Sequence, residues 1–406
     1  MLNLCFELRK FMGLGTYISV PFCRSKCSYC NFASGVFSAA QMARYADRVC
    51  ADIASCREVA SADRAVMPDK VDSIYLGGGT PSLLPPDALT KLFATLATQF
   101  EISGNAEITM ECAPGTLTQP LLESLVSCGV NRVSLGVQSF VDKEAASVAR
   151  LHTRDRVLKD IEDLRANGIS NINVDLIAGL PHQTPESWQY SLQEVVATQV
   201  PHMSVYMLEV DEDSRLGREL IAGGARYHAH FVPNDDLTAE FYEAACAHLA
   251  ADGVVQYEIS NFARGGFPSR HNLKYWTRQP YAGFGVDAHS MLPAADTGVE
   301  SVRLATTDSY DDFFVSQHIT AVPVSREEAL EESFFLGLRL NCGLKLEDLR
   351  CQFGNRVEMY VPAIEELRAA GMLSQQENII QLTPRGRLLS NEVFEKFIRK
   401  GEPCLK

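Results

Sequence analysis

The sequence lacks any uncharged apolar run of the roughly 18 residues that a membrane-spanning helix needs. Its first residues, Met1-Leu2-Asn3-Leu4-Cys5-Phe6-Glu7, do not follow the basic-then-apolar order of a secretory signal, and Glu7, Arg9 and Lys10 interrupt the apolar stretch. A cytoplasmic chain is expected, with membrane association at most peripheral. Positive charge is also scarce. Lys+Arg number 37 against 51 Asp+Glu, a formal net charge of −14, so the chain has no bulk attraction for nucleic acid and no nucleic-acid partner is expected. Tryptophan occurs twice. Cysteine, at 12 in 406 residues, falls well short of a disulfide scaffold and points to metal or redox chemistry in a reducing compartment. No internal repeat or low-complexity tract is present. With 46% hydrophobic and 22% charged residues, wholesale disorder is excluded.

The length exceeds one ordinary domain of about 150 residues, although an α/β barrel can absorb more. Short β-rich runs at 17–20, 71–76, 107–111, 132–137, 172–177 and 203–208 alternate with helical patterns at 86–99, 121–128, 156–166 and 187–198. Such alternation predicts βα units and a parallel sheet. Six units suit a partial (β/α)6, TIM-like barrel better than a closed eight-fold one. The functional face of such a sheet lies at the C-terminal strand ends, where Gly77, Gly78, Gly79, Thr80, Glu111, Gln138 and Asp175 fall. The expected division is an arm over 1–15, the partial barrel over 16–222, an aromatic-rich extension over 223–320 and a C-terminal module over 321–406. In the last, helices are predicted over 325–339, with Ser325-x-x-Glu328 as a capping box, and over 346–353, 357–370 and 385–397. A hairpin is predicted at 371–383. This order suggests a winged-helix-like α+β module, without a basic recognition helix.

Nine cysteines are scattered. Cys23, Cys27 and Cys30 are not: they form C-x3-C-x2-C directly after the first β run. Three thiolates so close can wrap one metal centre, and soft thiolates select zinc, Cu(I) or an iron–sulfur cluster. Structural zinc needs a fourth ligand, usually from a second closely spaced pair, and no such pair exists here. Three cysteines suit a four-iron cluster with one iron open, since four would ligate it fully. Three unrelated loop cysteines, or zinc completed by a distant residue, are the alternatives.

C-x3-C-x2-C is the signature of the radical S-adenosylmethionine superfamily. The flanking Tyr17-Ile-Ser-Val-Pro-Phe-Cys23 resembles one branch, the oxygen-independent coproporphyrinogen III oxidases and the HemW-type heme chaperones. The resemblance covers about residues 16–397. It implies a [4Fe-4S] cluster on Cys23, Cys27 and Cys30, with S-adenosylmethionine chelated at the open iron. Gly77-Gly78-Gly79-Thr80 resembles the segment that holds the methionine amine. Alone, it reads as a tight strand-to-helix turn. Glu111, Gln138, Arg150 and Asp175 match cofactor-binding positions of this branch, as do Tyr17 and Tyr29. A carboxylate suits ribose hydroxyls or the amine, and an arginine suits the cofactor carboxylate.

A third region runs from Tyr257 to Ser290 and holds His271-Asn272-Leu273-Lys274-Tyr275-Trp276. H-N-x-x-Y-W resembles the motif of HemW-type proteins suspected of binding heme. It makes His271 the candidate iron ligand, with Tyr275 and Trp276 as stacking partners. A packed aromatic loop with a hydrogen-bonded histidine is the alternative.

Within the family, the choice turns on an absent cysteine. Coproporphyrinogen III oxidases carry a fourth, two residues after the third, where this chain has Phe32. The stretch ahead of the loop is also short beside the arm with which those oxidases close over substrate. Both features resemble HemW, implying a protein that binds heme and passes it to an acceptor protein, without coproporphyrinogen III dehydrogenase activity. That dehydrogenase and another heme-directed radical S-adenosylmethionine enzyme remain the alternatives. Three positions depart from the pattern. Ser19 stands where HemW-like sequences usually have His, and Ala178 and His182 replace the common Tyr and Gly. His182 is thereby a rival heme ligand.

Overall fold

The alternation of apolar and polar residues in the predicted strands corresponds to two different faces of one sheet. This computed structural model describes residues 13–315 and 319–399. β1 (Leu14–Val20), β2 (Lys70–Gly78), β3 (Glu101–Cys112), β4 (Arg132–Gln138), β5 (Asn171–Ala178) and β6 (His202–Met207) lie side by side in that order, each parallel to the next. One face carries Ile18, Ile74, Met110, Leu135, Val174 and Val205, all fully buried. They share a core with Ile53, Leu92, Leu121, Ile161 and Leu192 of the crossover helices. The other face carries Tyr17, Tyr75, Glu111, Ser134, Asp175 and Ser204. A parallel sheet sandwiched between helices reads as continuous apolar runs; here one face is polar because it lines the site. The partial six-unit barrel is as expected, and the arm expected over 1–15 lies mostly outside the described residues, with β1 already beginning at Leu14.

The sheet does not stop at six strands. Beyond β6 come the short strands β7 (Val255–Gln256) and β8 (Asn261–Ala263), with β8 antiparallel to β6. On the other edge, β9 (Tyr281–Phe284) runs parallel to β1, followed by antiparallel β10 (His289–Pro293), β11 (Val299–Thr306) and β12 (Ile319–Ser325). The aromatic-rich extension therefore supplies both edges of a 12-stranded sheet.

Between β8 and β9 the chain makes a short helix, Arg270–Trp276, which is the H-N-x-x-Y-W segment and packs on the polar face. Glu107 of β3 accepts from the backbone N–H groups of Arg270 and His271, at 3.0 and 2.9 Å. Lys274 Nζ lies 2.6 Å from Asp72 Oδ1 and donates to the Gly13 carbonyl, and Lys274 is 1% exposed. Gly15 in β1 permits this approach: a Cβ there would stand 2.9 Å from Lys274 Cδ and 3.3 Å from His271 Cε1.

Ser325 ends β12 and caps the helix Arg326–Gly337, with the predicted reciprocal bonds to Glu328. The helices Leu346–Phe353 and Val361–Ala369 follow, then β14 (Leu373–Gln376) and β15 (Ile379–Leu382). With β13 (Leu344–Lys345) these strands form a small separate sheet. Phe334, Phe353, Ile380 and Phe397 fill a separate core. The helix predicted over 357–370 starts as a 3-10 turn, Gly354–Tyr360, and turns α-helical only at Val361. That over 385–397 breaks at Leu389 into Pro384–Leu388 and Ser390–Glu395. Among the described residues no helix is long and apolar enough to cross a membrane.

The buried Lys274–Asp72 pair yields a direct test. Lys274→Met leaves the Asp72 carboxylate buried without its cation, a loss of about 3–5 kcal/mol for a broken buried pair. The urea midpoint of the variant should fall accordingly. A midpoint equal to that of the parent would rule out this anchor.

Candidate cluster and cofactor site

The cysteine loop begins where β1 ends and is held shut at its base. Cys23 N–H donates to Gly35 O and Gly35 N–H to Pro21 O, both at 2.8 Å. Phe22 is fully buried, edge-on to Phe37 and Tyr45. The loop is then tied across the C-terminal strand ends. Ser25 Oγ donates to Ala149 O, Asn31 to Asp211, and the Ser28 carbonyl accepts from Leu216 N–H. Cys23, Cys27 and Cys30 are all unpaired and partly exposed. Burial pushes the Cys30 thiol up, and the neighbouring Cys27 and Cys23 add to the rise. Three thiolates gathered on one short loop would repel one another without a cationic centre between them. Among the described residues no three Cys, His, Asp or Glu side chains converge on a single metal ion. An iron–sulfur cluster takes cysteine thiolates as its ligands. The donor set fits such a cluster: thiols only, on one loop, three in number.

The predicted cofactor residues gather on two sides of this loop. On one side are Tyr17, Gly78 and Gly79, which line a common cavity. The turn after β2 passes so close to the loop that a Cβ on Gly79 would stand 2.7 Å from Phe22 O, so only glycine fits. Thr80 Oγ1 reaches Cys23 Sγ at 3.9 Å. Glu111 accepts from Tyr75 Oη–H at 2.9 Å and from Gly78 N–H at 3.1 Å. On the other side Arg150 donates to Tyr29 Oη at 3.1 Å, and Cys27, Thr80 and Arg150 border a second cavity of about 250 Å3. Gln138 adopts a left-handed backbone, φ +70°, at an irregularity in β4. A non-glycine residue seldom sits there.

Two of the predicted cofactor residues have a buried polar atom without a partner: Gln138 Oε1 and Arg150 Nε. A zwitterionic ligand answers both, a carboxylate accepting from the guanidinium and an amine or hydroxyl donating to the amide. Asp175 accepts from Ser134 at 3.0 Å and from Asn173 at 2.7 Å. Burial raises the Asp175 carboxyl, although those hydrogen bonds favour its charged form. Burial first, then the charge of Asp175, pushes Glu111 up to about 7. Two carboxyls that repel one another on a desolvated face favour a cationic or hydroxyl-rich ligand.

The H-N-x-x-Y-W residues part company. Tyr275 lines the first cavity. His271 lies behind it, 1% exposed, with Nδ1 at 3.0 Å from Ser73 Oγ and Nε2 at 2.8 Å from Tyr275 Oη. Desolvation, reinforced by Lys274 and Arg132, lowers it to about 3, so it stays neutral. As placed, neither ring nitrogen of His271 is open to an iron. Trp276 turns toward the C-terminal module, where Arg339 stacks on its ring at 4.3 Å. His182 stacks on Phe231, and its Nε2 lies 3.0 Å from His228 Nδ1, away from the residues lining the first cavity. Pattern reasoning overlooked Tyr281, Asp287 and His289, which also line that cavity; their only signal was their place in the aromatic third region.

Loop and barrel together define a radical S-adenosylmethionine protein: the Radical SAM superfamily model matches residues 17–195, and the HemN C-terminal domain model matches 324–389. The chain is 32% identical over 387 residues to the heme chaperone HemW of Bacillus subtilis, covering 94% of this chain and 98% of that protein. It is 28% identical to the heme chaperone HemW of Escherichia coli, covering 96% and 99%. The chain belongs to the HemW family. Its fold is that of the Escherichia coli coproporphyrinogen III oxidase HemN, with a TM-score of 0.79, 21% identity and coverage of 98% of this chain and 93% of that one.

The raised Glu111 carboxyl sets a pH dependence. A group that holds its proton more tightly when folded adds full stability below its ordinary pKa and loses it as pH rises through the folded value. For Glu111 that window runs from 4.5 to about 7, worth up to about 3 kcal/mol. Chemical denaturation of Glu111→Gln between about pH 5 and pH 8 should show a flatter profile than the parent. An unchanged slope would contradict the assignment.

Proposed function

We propose that this chain takes up heme and hands it to an acceptor protein, and that its cysteine loop carries a [4Fe-4S] cluster beside bound S-adenosylmethionine. The observation that carries this reading is position 32. Phe32, where an oxidase would hold its fourth cysteine, is 59% exposed and lines the cavity shared with Gly78, Gly79 and Tyr275. An apolar, exposed ring suits a flat macrocycle better than proton or electron delivery to a reacting propionate. Near-full-length likeness to proteins named as heme chaperones supports the same choice.

Within this reading Cys23, Cys27 and Cys30 hold the cluster. When bound, the cluster offers an open iron to the methionine amine and carboxylate and a source of one electron. The chain's own residues do the positioning. Gly78 and Gly79 present backbone to the methionine end, Thr80 borders Cys23, and Arg150 with Gln138 faces the carboxylate side. Tyr17, Tyr29, Glu111 and Asp175 complete the pocket, the two carboxyls facing amine or ribose hydroxyls. The chain acts in the cytoplasm, on heme and a protein partner rather than nucleic acid. The barrel over 16–222 carries the cluster, the extension over 223–320 completes the heme region, and 321–406 forms the C-terminal module.

Alanine at Cys23, Cys27 or Cys30 should abolish the brown chromophore of the anaerobically reconstituted protein. Four irons retained in any of these variants would refute the ligand assignment. Anaerobic titration of the parent with heme, with and without S-adenosylmethionine, should show saturable uptake. Incubated with S-adenosylmethionine, a reductant and coproporphyrinogen III, the protein should form no protoporphyrinogen IX. Formation at useful turnover would overturn the chaperone reading.

A further inference from the structure

The first cavity, of about 330 Å3, contains a feature that the H-N-x-x-Y-W motif does not explain. Gly78 and Gly79 border it from the turn after β2, Phe32 from the cysteine loop, and Tyr275 and Tyr281 from the motif helix and β9. Its one imidazole is His289, at the start of β10. The His289 side chain is 65% exposed, and among the described residues no hydrogen bond holds either ring nitrogen. Asp287 lies on the same turn, with one carboxylate oxygen 3.7 Å from His289 Nε2. The turn brings both residues to the cavity. Asp287 occupies the left-handed region at φ +54°, and its N–H donates to Thr307 O at 2.8 Å while Ala288 N–H donates to Thr306 Oγ1 at 2.9 Å. Ser19, where HemW-like sequences usually carry histidine, lines the same cavity and adds no second imidazole.

We infer that His289 is the iron ligand for heme in this cavity, with Asp287 orienting its imidazole and Tyr275 and Tyr281 facing the macrocycle. This rests on the heme reading above. An iron-ligating imidazole needs one free nitrogen and is commonly oriented through the other by a carboxylate. Among the described residues both nitrogens of His289 are free of hydrogen bonds, and the Asp287 carboxylate lies 3.7 Å from one of them; His271 has neither nitrogen free. His271 instead is a positioning residue: its Nε2 meets the Tyr275 hydroxyl at 2.8 Å and so fixes the ring that borders the cavity.

The test is heme titration of the full-length, cluster-loaded protein, read by the Soret band, electron paramagnetic resonance and affinity. The parent should show a nitrogen-ligated spectrum. His289→Ala should shift the Soret band and weaken binding by at least about tenfold, the lower range for disturbing a metal site. His289→Cys should give a thiolate-type spectrum, a change that a merely structural role would not produce. His271→Ala should weaken binding through Tyr275 yet keep the parent's ligation signature. A His289→Ala protein with the parent's spectrum and affinity overturns the inference while leaving the heme reading intact. No saturable uptake by the parent removes the heme reading itself, and this inference with it.

Discussion

The polar inner face of the sheet is the constraint on which the rest of the molecule depends. A strand whose residues alternate strictly can bury only one face against helices. β1 to β6 spend their apolar residues on the outer face, so serines, carboxylates, tyrosines and an arginine collect inside. Each such group, once removed from water, needs a partner. Part of the demand is met across strands, as in Tyr75–Glu111, Ser134–Asp175 and Asn173–Ser204. The short helix Arg270–Trp276 meets more of it from inside, by giving its first amides to Glu107 and its Lys274 to Asp72. Among the groups still unpartnered, Gln138 Oε1 and Arg150 Nε lie near the strand ends beside the cysteine loop, while Thr109 Oγ1 and Arg132 Nε lie deeper on the same face. The motif helix thus packs against the inner face at β2 and β3, and the cysteine loop lies toward the strand ends.

This division gives the H-N-x-x-Y-W segment a structural meaning distinct from ligand binding. Its asparagine-bearing turn and lysine anchor the helix to β2 and β3, its tryptophan stacks under Arg339 of the C-terminal module, and only its tyrosine reaches the cavity. One short helix thereby joins barrel, module and site. Substitutions in such a segment would change the cavity through position and stability together, so loss of heme binding alone would not identify an iron ligand.

Much of the architecture was legible in the sequence, for identifiable reasons. The six parallel strands announced themselves because alternation and spacing agree, and Ser325-x-x-Glu328 marked a helix start because a capping box is local chemistry. The cysteine loop was legible because its three cysteines lie within eight residues. Strands of two to five residues, such as β7, β8 and β9, carry too little pattern, so the sheet's edges were read as a loose extension. The burial of His271 was hidden because its partner Ser73 lies 198 positions away. The exposure of His289 was hidden for the converse reason: nothing about a histidine at the start of a short strand says which face it takes.

Phe32 and His289 together bear on why this site would carry heme rather than transform it. A ligand that must be handed on needs a site with modest desolvation and few bonds to break on release. One exposed imidazole, one exposed phenylalanine and a partly open aromatic wall meet that need, since affinity in related sites is set chiefly by the rate of leaving. An enzyme has the opposite requirement. It gains from closing over its substrate and excluding water, so that charges in the site act at full strength. The inner face behind Gly78 is built in that second manner, with the Glu111 and Asp175 carboxyls desolvated. Heme beside Phe32 and His289 would meet S-adenosylmethionine across Gly78 and Gly79, which border the same cavity, so each ligand would affect the other's hold without sharing a side-chain ligand.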